Sequence, residues 1–248
     1  MTPQIAVQLY SVREEIKQDM SGIMQRLATI GYAGVEGFRG MDHEAAAQAC
    51  KDTGLQMMAC HLSAPIGDAQ AETFDIAERY GLKRIIVPWM PPERFTTADD
   101  VKAVCAELNE AGSIAAENGN EFGYHNHDFE FTAIGEQQAI DIMIAELDPA
   151  ILLEIDAYWA QVGGRDPNAL IESLGARAPL VHIKDGPGTK DDPQVALGQG
   201  AMDLRGLAAT SQAEWFVVEL DDCATDMMEA IEQSYQFLVG EGLASGKR

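Results

Sequence analysis

The feature that most constrains this chain is a unit repeated eight times: an apolar run of strand length followed by a segment with helical spacing. The runs cover residues 5–10, 34–38, 56–61, 84–89, 121–126, 151–157, 180–185 and 215–220. Short, bounded apolar runs of this kind read as strands buried on both faces. The segments between and after them, 14–30, 44–53, 71–80, 98–118, 137–147, 168–174, 204–210 and 225–238, place apolar residues at helical intervals. Gly31, Gly54, Gly81 and Gly119 stand where a helix must turn left-handed into the next strand. Eight such units in 248 residues, with no linker or shift of composition between them, predict an α/β fold: a closed (β/α)₈ TIM barrel forming a single domain over residues 1–248. An open doubly wound sheet would carry a glycine-rich phosphate loop after its first strand. Here that strand runs into Gln8-Leu9-Tyr10-Ser11, and Gly198-Gln199-Gly200, preceded by no strand, reads as a turn.

Charge narrows the function. Seventeen Lys and Arg against forty Asp and Glu give a formal net charge of −23, which repels phosphate backbones and anionic membrane surfaces. Neither nucleic acid nor a membrane is expected as a partner. Cys50, Cys60, Cys105 and Cys223 show no paired spacing and read as core thiols of a reducing compartment. Residues 1–8 lack the basic start and apolar run of a signal peptide, so a cytoplasmic location is expected.

In a barrel of this kind, catalytic groups sit at the C-terminal ends of the strands. His61 ends the third run, the fifth leads into His125-Asn126-His127-Asp128, the sixth carries Glu154 and Asp156, the seventh His182, Lys184 and Asp185, and the eighth Glu219 and Asp221. Strand side chains alternate, so His125 shares a face with His127, Glu154 with Asp156, His182 with Lys184, and Glu219 with Asp221. Carboxylates embedded in apolar strands need compensation, and a bound divalent cation is the simplest source. The plainer alternative is that each acid caps the following helix or pairs with a lysine such as Lys184. Imidazole mixed with carboxylate suits one divalent ion, Mn²⁺, Zn²⁺, Co²⁺ or Fe²⁺, better than Ca²⁺ or a thiolate site, and the identity, Mg²⁺ included, stays open.

Val7-Gln8-Leu9-Tyr10-Ser11-Val12-Arg13, Gly123-Tyr124-His125-Asn126-His127-Asp128-Phe129-Glu130-Phe131, Glu154-Ile155-Asp156-Ala157-Tyr158-Trp159 and His182-Ile183-Lys184-Asp185 together resemble the xylose isomerase-like TIM-barrel family of sugar phosphate isomerases and epimerases. The resemblance spans essentially the whole chain. It implies, by the ketose epimerase branch, a metal held by a Glu, an Asp, a His and a second Glu from the ends of strands five to eight. Asp156, His182 and Glu219 match the last three positions. The first falls on His125, where the ketose epimerases have a glutamate; Glu130, five residues on, is kept beside it as the slightly preferred ligand or substrate contact. Trp159 stands where those epimerases place a substrate-contacting histidine.

By that resemblance the chain is a metal-dependent isomerase or epimerase acting on a small keto-sugar or polyol derivative through an enediolate. Glu219 is expected as ligand and base, Glu130 or His125 as the group on the opposite face, and Lys184 as a catalytic cation. His61, His125, Asn126, His127, Glu154 and Trp159 are expected to contact substrate. An inosose dehydratase-like lyase and a non-catalytic sugar-binding barrel are the alternatives. Dispersed Arg13, Arg39 and Arg165 favour an unphosphorylated substrate, and a homodimer is expected weakly from the habits of relatives.

Overall fold

The computed structural model describes residues 2–247. Eight parallel strands close into a barrel: β1 (Gln4–Gln8), β2 (Gly34–Phe38), β3 (Gln56–His61), β4 (Arg84–Val87), β5 (Glu121–His125), β6 (Leu152–Asp156), β7 (Leu180–Ile183) and β8 (Trp215–Val218). Spatial order follows chain order, and β1 pairs with both β2 and β8. Around the strands run α1 (Arg13–Ile30), α2 (His43–Thr53), α3 (Gln70–Tyr80), α4 (Ala98–Glu117), α5 (Ala139–Glu146), α6 (Ala157–Val162), α7 (Pro167–Leu174), α8 (Leu204–Thr210) and α9 (Met227–Gly240). The eight predicted strands and eight predicted helices are all present. Gly31, Gly54, Gly81 and Gly119 adopt positive φ as their placement required. Among the described residues no helix is long and apolar enough to cross a membrane.

Several boundaries differ from the sequence reading. β1 ends at Gln8, and Tyr10 lies in a single 3₁₀ turn, Leu9–Val12. β4 stops at Val87 because Pro88, next in line, has no N–H to give a ladder. A two-stranded hairpin, Ala133–Ile134 with Gln137–Gln138, precedes α5 and takes the start of the helix expected from residue 137. α6 was not foreseen; it begins directly after β6, with Asp156 as its cap.

The inward-facing side chains form two zones. Ala6, Met58, Ala59, Ile86, Leu180, Trp215 and Val217 make an apolar plug in the lower barrel. Below it Arg84, nearly buried, donates to Glu121 and Glu214 at 2.8 Å each. Above the plug the next inward positions are polar: Gln8, Glu36, His61, His125, Glu154, His182 and Glu219. A register shift between β2 and β3 places Val35 beside Met57 but Glu36 beside Ala59, so both Met58 and Ala59 face inward. A bulge of this kind re-aims the strand beyond it, and here it precedes His61.

Asp185, just past β7, organises the loop on that side. Its carboxylate accepts from the backbone N–H groups of Gly186, Gly198, Gly200 and Met202 at 2.9–3.1 Å. Gly198 has φ +84°, and a Cβ at Gly200 would meet an Asp185 oxygen at 2.2 Å, so both glycines serve this cradle. The segment read as a turn is one, folded around a buried acid. Asp185→Ala leaves four N–H groups without their acceptor; a loss of about 2–4 kcal/mol is expected in chemical denaturation.

Candidate active site

Each inward polar residue arrives from a strand whose alternation brings it to the barrel axis. From β5 to the end of β8 come His125, Asp156, His182 and Glu219, whose ligand atoms lie within 4.8 Å of one another. A second set, His61, His125, Glu154 and His182, overlaps it one layer deeper. The two sets share both imidazoles, and each shared ring turns one nitrogen to each set. His182 Nδ1 donates to Glu219 Oε2 at 2.8 Å, and its Nε2 donates to Glu36 Oε2 at 2.6 Å. His125 Nδ1 lies 3.1 Å from Glu154 Oε2, while its Nε2 faces Asp156 Oδ2 at 3.9 Å. Carboxylate oxygens only accept, so Nδ1 carries the His125 proton and the Nε2 lone pair points toward the upper set.

The electrostatics of the lower set concentrate positive charge against acids. Burial alone would discharge His182, but Glu154, Glu219 and Glu36 outweigh it and hold the ring protonated well above the ordinary histidine range. His61 is also raised: burial opposes charge, and Glu36 and Glu154 overcome it. His61 Nε2 donates to Glu154 Oε2 at 2.7 Å. His125 goes the other way, kept neutral first by burial and then by the positive charge on His182. Burial and the neighbouring Glu154 push Glu36 up to about 7. Burial also opposes ionisation of Glu154, yet His182 and His61 keep it charged. Of this acid pair Glu36 is therefore the more readily protonated. Gln8 on β1 donates to Glu36 Oε2 at 2.9 Å.

The upper set is built around Lys184, which is 1 % exposed. Its ammonium lies 2.9 Å from Asp156 Oδ2, 2.9 Å from Glu219 Oε2 and 2.6 Å from Asp221 Oδ2. Burial would discharge this lysine, but Asp156, Asp221 and Glu219 hold it protonated. Burial likewise opposes charge on Glu219, and Lys184 and His182 keep it ionised. Asp156 is pushed up to about 6 by burial, which Lys184 only partly offsets. Its Oδ1 accepts from the Trp159 amide at 2.8 Å, capping α6. Its Oδ2, despite the nearby ammonium, has no hydrogen bond of sound geometry. Capping and pairing with lysine, the plainer roles for these acids, are therefore both present, and they leave an oxygen over.

The remaining predicted residues separate. His61, His125, His127, Glu219 and Asp221 form the polar side of a cavity of about 800 Å³ at the C-terminal mouth of the barrel. His127 is held neutral, down to about 4, by burial and by Lys184. Its Nδ1 has no partner. Glu154 lies wholly buried below the cavity. Asn126 does not reach the cavity, because its side-chain amide staples β5 to β6, accepting from Asp156 N at 3.0 Å and donating to Asp156 O at 3.3 Å. Trp159 is not part of the lining; its ring lies 5.3 Å from Lys184 Nζ. Glu130 belongs to neither donor set. It is fully buried, with Oε1 accepting from the Tyr124 hydroxyl at 2.6 Å and Oε2 from His127 N at 2.8 Å. Burial pushes it up to about 8, with those two bonds pulling back. Its place is as a support under the His127 loop, and on this side of the set His125 is the residue present. Arg13 and Arg39, dispersed in sequence, share the cavity rim.

Glu36, Gln8 and Tyr124 were not singled out in the sequence. Glu36 carried the same signal as Glu154, an acid inside a five-residue apolar strand.

The family model described as a xylose isomerase-like TIM barrel matches residues 24–238. The chain belongs to this family. No curated protein matches it. Within the xylose isomerase-like fold, a solved sugar phosphate isomerase/epimerase from Parabacteroides distasonis is 24% identical, with 98% of this chain and 100% of that chain covered and a TM-score of 0.82. The probable 3-DHS dehydratase AsbF of Bacillus anthracis superposes with a TM-score of 0.73 at 12% identity, covering 95% of this chain and 98% of that one. The 3-keto-D-glucoside 4-epimerase YcjR of E. coli gives 0.65 at 18% identity, covering 96% and 99%. At these identities the likeness is one of fold.

The donor chemistry of the upper set fits a divalent transition ion. It offers the open lone pair of neutral His125, the His182 ring, Asp156 Oδ2 without a hydrogen bond, and ionised Glu219. Lys184 balances one of the three carboxylates around it, so negative charge remains for a cation to offset.

Proposed function

We propose that this chain is a sugar isomerase or epimerase that moves a proton at the carbon beside a carbonyl, with a divalent ion held by His125, Asp156, His182 and Glu219. The observation that carries this reading is the convergence of those four groups at the mouth of the barrel, two of them, His125 and Glu219, also lining the cavity. When bound, such an ion polarises a carbonyl and lowers the cost of charge developing on its oxygen.

The chain's own groups divide the remaining work. Glu219, ionised and at the cavity wall, takes the α-proton. Lys184 stays protonated throughout, so its part is electrostatic: it holds Glu219, Asp156 and Asp221 in place and favours negative charge nearby. His127, neutral and lining the cavity with its Nδ1 turned into the protein, is the group we assign to exchange a proton with the substrate through its other ring nitrogen. The family resemblance assigns this place to Glu130 or His125. Glu130 acts on it at one remove, by fixing the His127 amide. The lower set, Glu36, His61 and Glu154, orients the two shared imidazoles.

The test is incubation of the metal-loaded protein with a panel of keto-sugars in D₂O, read by mass spectrometry and NMR. Deuterium at the α-carbon with sugar mass otherwise unchanged supports the reading. Loss of water instead assigns the chain to lyase chemistry, which begins with the same proton removal, and no exchange with any keto-sugar overturns both.

A further inference from the structure

The cavity is asymmetric. Facing its polar side is an arm made by Tyr10, Phe38, Leu62, Ile66, Trp89 and Met90, contributed by the end of β2 and by the segments that follow β1, β3 and β4. Tyr10 and Trp89 are the exposed large hydrophobic residues among the described residues, at 42 % and 49 %. Both open onto this one cavity. Exposed aromatic surface costs solvation free energy, and its concentration beside a polar site marks a binding surface more than incidental exposure does. The Tyr10 ring is held in place, edge-on to Phe38 with centroids 5.4 Å apart and with the Arg13 guanidinium 4.4 Å from its centroid.

The rim cations are already engaged. Arg13 donates to the carbonyls of Tyr10 and Asp221 at 2.9 and 3.3 Å, and Arg39 pairs with Glu72 at 2.8 Å. Glu107, paired with Arg94 at 2.7 Å, and Asp221, 2.6 Å from Lys184, are the acids of the same lining. A phosphate on the substrate would have to compete with Glu72 for Arg39 and with two carbonyls for Arg13. A flat apolar group would meet aromatic faces, and the cavity, about 800 Å³, has the size of sites that enclose drug-sized ligands.

Resting on the proton-transfer reading above, we propose that the apolar arm is a subsite for an aromatic substituent, so that the substrate is a keto-sugar carrying a planar apolar aglycone. The sugar lies against His61, His125, His127 and Glu219, and the aglycone lies between Tyr10 and Trp89. The arm is continuous with the catalytic floor, which is why a substituent of the bound sugar is its occupant in preference to a second protein chain.

The experiment compares binding of a 4-nitrophenyl glycoside and the methyl glycoside of the same hexose by isothermal titration calorimetry. The nitrophenyl compound is expected to bind at least about tenfold more tightly, the scale of one well-placed aromatic contact plus its buried area. Trp89→Ala and Tyr10→Ala should bring that ratio close to one, while Trp89→Phe retains most of it. Equal binding of the two glycosides, or a ratio unchanged in both alanine variants, overturns the proposal. So does a change of oligomeric mass in Trp89→Ala with no change in the ratio, since that assigns the arm to another copy of the chain. Because the readout is binding, aryl preference without exchange on any keto-sugar leaves the subsite standing and refutes the proton-transfer reading; exchange without aryl preference does the reverse.

Discussion

Glu219→Gln is expected to lower exchange of substrate α-hydrogen with solvent by about 10³-fold, within the range that general acid–base groups supply. The substitution preserves size and removes the negative charge and proton affinity. In the native site Glu219 accepts from His182 Nδ1 at 2.8 Å and lies 2.9 Å from Lys184, and these two cations keep it ionised. A base so strongly ionised is a weak proton acceptor in water. In the cavity it faces a carbon acid whose anion is stabilised by the same positive groups, so its proton affinity need only match that of the developing enediolate. Glu219 is also in the donor set for the ion, so bound metal must be measured by elemental analysis on the same sample, at saturating metal. Exchange falling by orders of magnitude with metal still bound assigns the residue as a base. Exchange that survives defeats the assignment. A parallel fall of both in proportion reduces Glu219 to a ligand only.

The site was legible where its signal was local. An acid or histidine at the end of an apolar strand is visible in sequence, and Asp156, His182, Glu219, His125 and His61 all meet near the axis as alternation required. The eightfold count was legible for the same reason, because strand runs and helix-ending glycines are short-range features. What could not be read was orientation. Glu130 sits five residues past His125 in a 3₁₀ turn, Phe129–Phe131, and no periodicity says which way such a turn aims its side chains. The turn sends the carboxyl inward to Tyr124 and the His127 amide, and leaves His127 facing the cavity. Asn126 was a polar residue at a strand end and still became a staple, because the Asp156 backbone groups beside it needed partners. Glu36 is a different case. Its strand, Gly34–Phe38, carries no histidine to mark the acid as part of a site. Its importance comes from closure: β2 lies across the barrel from β7, and only the closed cylinder brings Glu36 within 2.6 Å of His182.

The second large effect concerns the ion and protons together. Titrating the metal-free protein with Mn²⁺ or Zn²⁺ near pH 7 should release protons, and Asp156→Asn or His182→Ala, which remove ligands, should weaken binding by more than the roughly 10²-fold that perturbing outer partners of a metal site can cost. His182 is protonated at neutral pH because burial is outweighed by Glu154, Glu219 and Glu36. An imidazolium offers no lone pair, so an ion must displace its proton. Asp156, pushed up to about 6 by burial, adds a second displaced proton as the solution becomes more acid. The sign follows: apparent affinity rises with pH across the neutral range while His182 is still being deprotonated by the ion, and falls more steeply once the pH drops through about 6. Each proton released corresponds to about tenfold in affinity per pH unit. Calorimetry in buffers of different ionisation enthalpy reads the proton count directly, apart from any catalysis. Removing the His182 ring should abolish the release seen at neutral pH, because the remaining nitrogen ligand, His125, is already neutral. Affinity that is flat from pH 6 to 8, or equal in both variants, would mean that Lys184 and the imidazolium already satisfy these acids and that the barrel mouth holds no metal.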